Sequence, residues 1–74
     1  MIGITGATGF VGMVHLTKAI RAGQAVKVLV RDRRALEPLA AAQVHIVEGD
    51  LSDPRSLQQF CDGIDVCFHY AARA

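Results

Sequence analysis

Apolar positions along this chain alternate between two periodicities at short, regular intervals. Met1 to Thr5 is a brief apolar run ended by Gly6, too short for a helix and bounded as a buried strand is. From Val11 to Ala22 the apolar residues Val11, Val14, Leu16, Ala19 and Ile20 recur at roughly helical spacing, and Gly23 follows where a helix end takes positive φ. Ala25 to Val30 is a valine-rich run suited to a sheet covered on both faces. Residues 33–42 favour a helix, short or broken because Pro38 lacks an N–H and restricts Glu37. Val44 to Glu48 predicts a third strand. Ser52, Asp53 and Pro54 then start a helix that runs to about Asp62 and stops at Gly63, and Asp65 to Tyr70 forms a fourth apolar strand. The order β-α-β-α-β-α-β with short connections implies right-handed crossovers and a parallel sheet, so the class is α/β.

Length limits what these elements can build. The 74 residues weigh 7.9 kDa, below the usual domain size of roughly 100–150 residues, which excludes two domains. Apolar residues at 51%, charged residues at 20% and a mean hydropathy of +0.30 exclude intrinsic disorder. A chain of this size buries only about 60% of its unfolded surface, so the core is either small or part of a larger one. The net charge of +1 gives no global field for nucleic acid or an acidic membrane. The charge is nevertheless uneven: residues 1–37 carry six basic and two acidic side chains, and residues 38–74 carry two basic and five acidic. Positive charge concentrates at Arg31, Arg33 and Arg34. Cys61 and Cys67 show neither CxxC nor flanking His spacing, which predicts no disulfide, no metal site and small apolar packing in a reducing cytoplasm. No signal peptide or membrane-spanning run is present in the sequence.

The stretch with chemical content is Thr5-Gly6-Ala7-Thr8-Gly9-Phe10-Val11-Gly12, where glycines follow a strand and open a helix. Gly6 permits the tight turn, Gly9 lets the backbone approach a pyrophosphate, and Gly12 permits close packing of the helix. A pyrophosphate then sits on the helix N-terminus, where free N–H groups and the macrodipole favour negative charge. The alternative is a glycine turn with no ligand. No Gly-Lys-Ser/Thr follows, which excludes a triphosphatase phosphate loop.

In the form TGATGFVG this segment resembles the extended and atypical short-chain dehydrogenase/reductase superfamily, of the NAD-dependent epimerase/dehydratase kind. Downstream segments are similar too: Val28-Leu29-Val30-Arg31-Asp32, Gly49-Asp50-Leu51-Ser52-Asp53 and Val66-Cys67-Phe68-His69-Tyr70-Ala71-Ala72 occur in the family's order. The resemblance implies a partial doubly wound Rossmann fold, with four parallel strands in the order 3-2-1-4 and three helices, and an NADP or NAD cofactor. It implies cofactor contacts from Gly6, Thr8, Gly9, Phe10, Val11 and Gly12. Members that prefer NAD usually end strand two with Asp; here Val30 takes that place and Arg31 follows. Arg31 and Arg34 therefore point to the 2′-phosphate of NADP, because a guanidinium forms paired charge-assisted bonds to phosphate. The alternative is that Asp32 serves a 2′-OH and the arginines are a solvated turn. Asp50 and Leu51 are expected to meet the adenine, or Asp50 caps its own turn instead. Ala71 and Ala72 would let the dinucleotide lie close to the chain. His69 is expected to be a core residue with a locally satisfied ring, and His15 and His45 have no partner spacing.

The superfamily's catalytic Tyr-x-x-x-Lys pair is missing here: Ala74 stands four positions after Tyr70, and Lys18 and Lys27 both precede it. No catalytic residue is assigned. The expectation is residues 1–74 as the N-terminal half of a dinucleotide-binding domain, belonging to a reductase, epimerase or dehydratase whose catalytic half lies elsewhere. A non-catalytic NAD(P) sensor and a truncated fragment that only associates with other chains are the alternatives. Strand four at a sheet edge predicts self-association, or pairing with remaining polypeptide, along residues 65–70.

Overall fold

A computed structural model describes residues 1–7, 9–32, 34 and 44–70. Its elements are β1 (Ile2–Thr5), α1 (Phe10–Arg21), β2 (Val26–Val30), β3 (Val44–Glu48), α2 (Pro54–Cys61) and β4 (Val66–His69). The four strands form one parallel sheet in the order β3-β2-β1-β4, as expected. Among the described residues there are two helices rather than three; the helix expected over 33–42 lies outside them, apart from Arg34.

Every residue of β2 is buried, because the central strand is covered on both faces. Side-chain alternation divides that burial. Val26, Val28 and Val30 join Ile4, Ala7, Leu16 and Ala19 in the core beneath α1. Leu29 joins Val47 and Phe60 beneath α2. Lys27 is also buried, and its ammonium donates to the carbonyls of Gln59 (2.8 Å) and Asp62 (2.6 Å) at the end of α2. A cation there satisfies carbonyls that the helix leaves free.

The buried stripe of α1 is Gly12, Leu16 and Ala19, whereas Val11 and Val14 are exposed. The i, i+4, i+7 row facing the sheet explains the difference, since the valines occupy the neighbouring face. Asp53 caps α2, accepting from the Arg55 N–H at 3.2 Å, and Pro54 opens the helix. Cys61 and Cys67 are exposed rather than packed, one at the end of α2 and the other on the uncovered edge strand. His69 is likewise exposed on β4; its Nδ1 is hydrogen-bonded to Thr5 Oγ1, so the ring is satisfied locally but outside the core. Among the described residues, no helix is long and apolar enough to cross a membrane.

Candidate functional site

Three loops leave the same end of the sheet, following the C-termini of β1, β2 and β3. The residues directly at these strand ends line a cleft of about 510 Å³, among them Gly6, Arg31, Asp50 and Leu51. In open α/β sheets, ligands bind beyond the carboxyl ends of the strands, beside the place where strand order reverses. That reversal falls here between β1 and β4.

Gly6 adopts φ +73, in the left-handed region, and a side chain on it would run into the Tyr70 carbonyl. Its own carbonyl accepts the N–H of Gly9 at 3.1 Å. Gly12 is buried against that same carbonyl, so the turn and the first turn of α1 pack without side chains between them. Gly9 is the N-cap of α1, in extended conformation, and a Cβ there would meet nothing nearer than the Gly6 carbonyl at 3.5 Å. The helix has no side-chain cap and no acidic residue in its first turn, which leaves its positive end available to an anion. This fits a dinucleotide diphosphate. Phe10 and Val11 open the helix with exposed side chains.

Arg31 follows the last residue of β2 directly and is exposed; its Nη2 lies 3.6 Å from Asp50 Oδ2. Asp50 is held by local bonds. Its Oδ1 accepts the Ser52 N–H at 3.0 Å, and its own N–H donates to Ser56 Oγ at 3.2 Å. The Ser52 N–H, with further help from the Ser52 side chain and Arg31, holds the Asp50 carboxyl below the ordinary carboxylate range. Asp50 thus makes the turn contact anticipated as its alternative use, while it also lines the cleft.

Arg34 is engaged with Asp32: Nη2 lies 2.9 Å from Oδ2, and Nε donates to Oδ1 at 3.1 Å. This pairing pulls the Asp32 carboxyl down and pushes the Arg34 guanidinium up. Asp32 thus has Arg34 as a partner through an exposed pair, weak enough to exchange with a ligand. Of the expected contact residues, the cleft lining includes Gly6, Arg31, Asp50 and Leu51; Gly9, Phe10, Val11 and Gly12 form the start of α1 outside that lining, and Arg34 is not part of it either. Thr8, Ala71 and Ala72 lie outside the described residues.

Two contributors lacked a sequence signal. Ser56 is buried, accepts from Asp50 and donates to Asp53 Oδ2 at 2.9 Å; only its position three residues after the capping Asp53 hinted at this. His15, which has no partner spacing in the sequence, reaches Tyr70 just after β4.

The sheet order, glycine turn and cleft define a dinucleotide-type α/β fold. The model of the NAD dependent epimerase/dehydratase family matches residues 2–74, and the chain belongs to that family. It is 41% identical over 71 residues to the 2-alkyl-3-oxoalkanoate reductase of Shewanella oneidensis, covering 96% of this chain and 18% of that protein. A short-chain dehydrogenase/reductase superfamily protein from Agrobacterium tumefaciens, solved with bound NAD, superposes with TM-score 0.78 at 26% identity, over 100% of this chain and 21% of that one. An NADPH-dependent quinone oxidoreductase from Escherichia coli superposes with TM-score 0.77 at 27% identity, over 93% of this chain and 26% of its own. The chain therefore spans about a fifth to a quarter of these relatives.

Proposed function

We propose that residues 1–74 are the N-terminal half of a dinucleotide-binding domain, and that they hold the adenosine and diphosphate portion of NADP in a reductase- or epimerase-type enzyme. The observation that carries the preference for NADP is the end of β2: an apolar Val30, then Arg31 in the cleft wall.

In this reading the turn at Gly6, Thr8 and Gly9, together with the start of α1 at Phe10, Val11 and Gly12, receives the diphosphate. Arg31 binds the 2′-phosphate, with Arg34 joining it by exchanging Asp32 for the ligand. Asp50 and Leu51 face the adenine, and Ala71 and Ala72 allow close approach of the remaining half. The bound nicotinamide supplies hydride chemistry, and the protein supplies position. No catalytic residue is assigned among these 74. The uncovered edge of β4, with exposed Val66 and Phe68, supports association along residues 65–70, with a second copy or with further polypeptide.

Calorimetric titration with NADPH and NADH tests the reading. Tighter binding of NADPH is expected. Equal or tighter binding of NADH overturns the NADP preference, and no heat with either from a folded sample overturns cofactor binding altogether.

A further inference from the structure

His15 lies in the second turn of α1, half-buried, with Nδ1 2.6 Å from Oη of Tyr70. Its ring stands edge-on to Phe68, with centroids 4.6 Å apart, and to Tyr70, with centroids 5.6 Å apart. Tyr70 immediately follows β4, and its N–H donates to the carbonyl of Thr5 at 3.1 Å. Its carbonyl and Cβ occupy the space that a Gly6 side chain would need. Gly6 in turn supports Gly9 through a backbone hydrogen bond and abuts Gly12. These contacts close a ring. The chain leaves Gly6, enters α1, and one and a half turns later returns through His15 to the residue that sits on Gly6.

We infer that His15 and Tyr70 are positioning residues, whose mutual bond fixes Tyr70 over Gly6 and so sets the glycine turn that receives the diphosphate. This rests on the dinucleotide reading above. Apolar side chains of similar size could fill the same space, but the hydrogen bond adds a directional constraint that packing alone does not give. The bond also joins α1 to the end of β4, across the two walls beside the turn.

The test compares ADP, which carries a diphosphate, with adenosine, which does not, by calorimetry on the intact protein and on three variants. Tyr70→Phe removes only the hydroxyl, and His15→Leu removes the ring. His15→Asn keeps a polar atom near the Nδ1 position. Tyr70→Phe and His15→Leu are expected to weaken ADP binding about three- to tenfold, the usual effect of one net hydrogen bond, with adenosine affinity unchanged and His15→Asn close to the unaltered protein. ADP affinity unchanged in both variants overturns the inference while the dinucleotide reading stands. Equal weakening of ADP and adenosine also overturns it, because that marks general loosening. Absence of ADP binding to the unaltered protein overturns the dinucleotide reading, and this inference with it.

Discussion

Arg31 and Asp50 meet across the cleft from adjacent strands, with Nη2 3.6 Å from Oδ2 and most of the arginine side chain in solvent. An exposed ion pair at that distance contributes little to folding, so the guanidinium can leave its partner for a phosphate without unsettling the sheet. Arg31→Ala is expected to lower NADPH affinity more than tenfold, to leave NADH affinity nearly unchanged, and to leave the melting temperature where it is. Calorimetry with both cofactors reads the first two outcomes. An unchanged NADPH affinity removes Arg31 from the 2′-phosphate.

Two glycines of the turn separate fold from binding. At Gly6 a side chain meets both a left-handed φ and the Tyr70 carbonyl. Gly6→Ala is therefore expected to destabilise by roughly 2–4 kcal/mol, strain and overpacking acting together. Gly9 has an ordinary φ, and a Cβ there would make only van der Waals contact with the Gly6 carbonyl. Gly9→Ala costs under about 1 kcal/mol, as for an N-cap change, yet places a methyl where the diphosphate approaches. Urea titration paired with calorimetry checks the contrast. Gly9→Ala binding dinucleotide as the unaltered protein does would show that the backbone approach is elsewhere.

What the sequence revealed and what it hid follow one physical division. The strands, the helix at Pro54 and the turn at Gly6 were legible because local rules determine them: apolar runs, a capping Asp, and glycine where φ is positive. The sheet order came from resemblance, since strand pairing is not written in periodicity. The exposure of Val11 and Val14 was missed because a helix of this length offers more than one apolar face, and only the sheet decides which is buried. Lys27, His15 and Ser56 were missed because their partners lie 32, 55 and 6 residues away in sequence. Each is a polar residue whose role depends on where another element ends.

Lys27 makes that dependence measurable. In a valine-rich strand it reads as an interruption, yet it is buried and ties β2 to two carbonyls at the end of α2. Lys27→Met keeps the length and apolar stem but leaves those carbonyls without the ammonium. A loss of about 1–3 kcal/mol in urea unfolding is expected, with faster amide exchange near residues 59–62. Unaltered stability would mean that water satisfies the helix end equally well.

Among the described residues, three carboxylates are held below their ordinary range and shape the response to acid. Asp65 is held below the ordinary 3.8 chiefly by its hydrogen bond to the N-terminal ammonium, at 2.7 Å. Asp32 is lowered foremost by the Arg34 side chain, and Asp50 by the Ser52 N–H. A folded-state value below the unfolded one means that the unfolded chain binds more protons in acid. The resulting stability is complete above the unfolded carboxylate range near pH 4 and is lost as pH falls through the lower folded values. Urea midpoints are therefore expected to be level from about pH 7 to 5 and to drop below about 4. Because the Asp32–Arg34 and Asp65–ammonium pairs are exposed, their share of the drop should shrink in high salt, whereas the share of Asp50, held first by the Ser52 N–H, should persist. Asp65→Asn is expected to lower the midpoint at neutral pH and to flatten part of the acid limb, because its amide cannot ionise. An acid limb identical to that of the unaltered protein would remove the Met1–Asp65 pair from the account and leave the drop to Asp32 and Asp50.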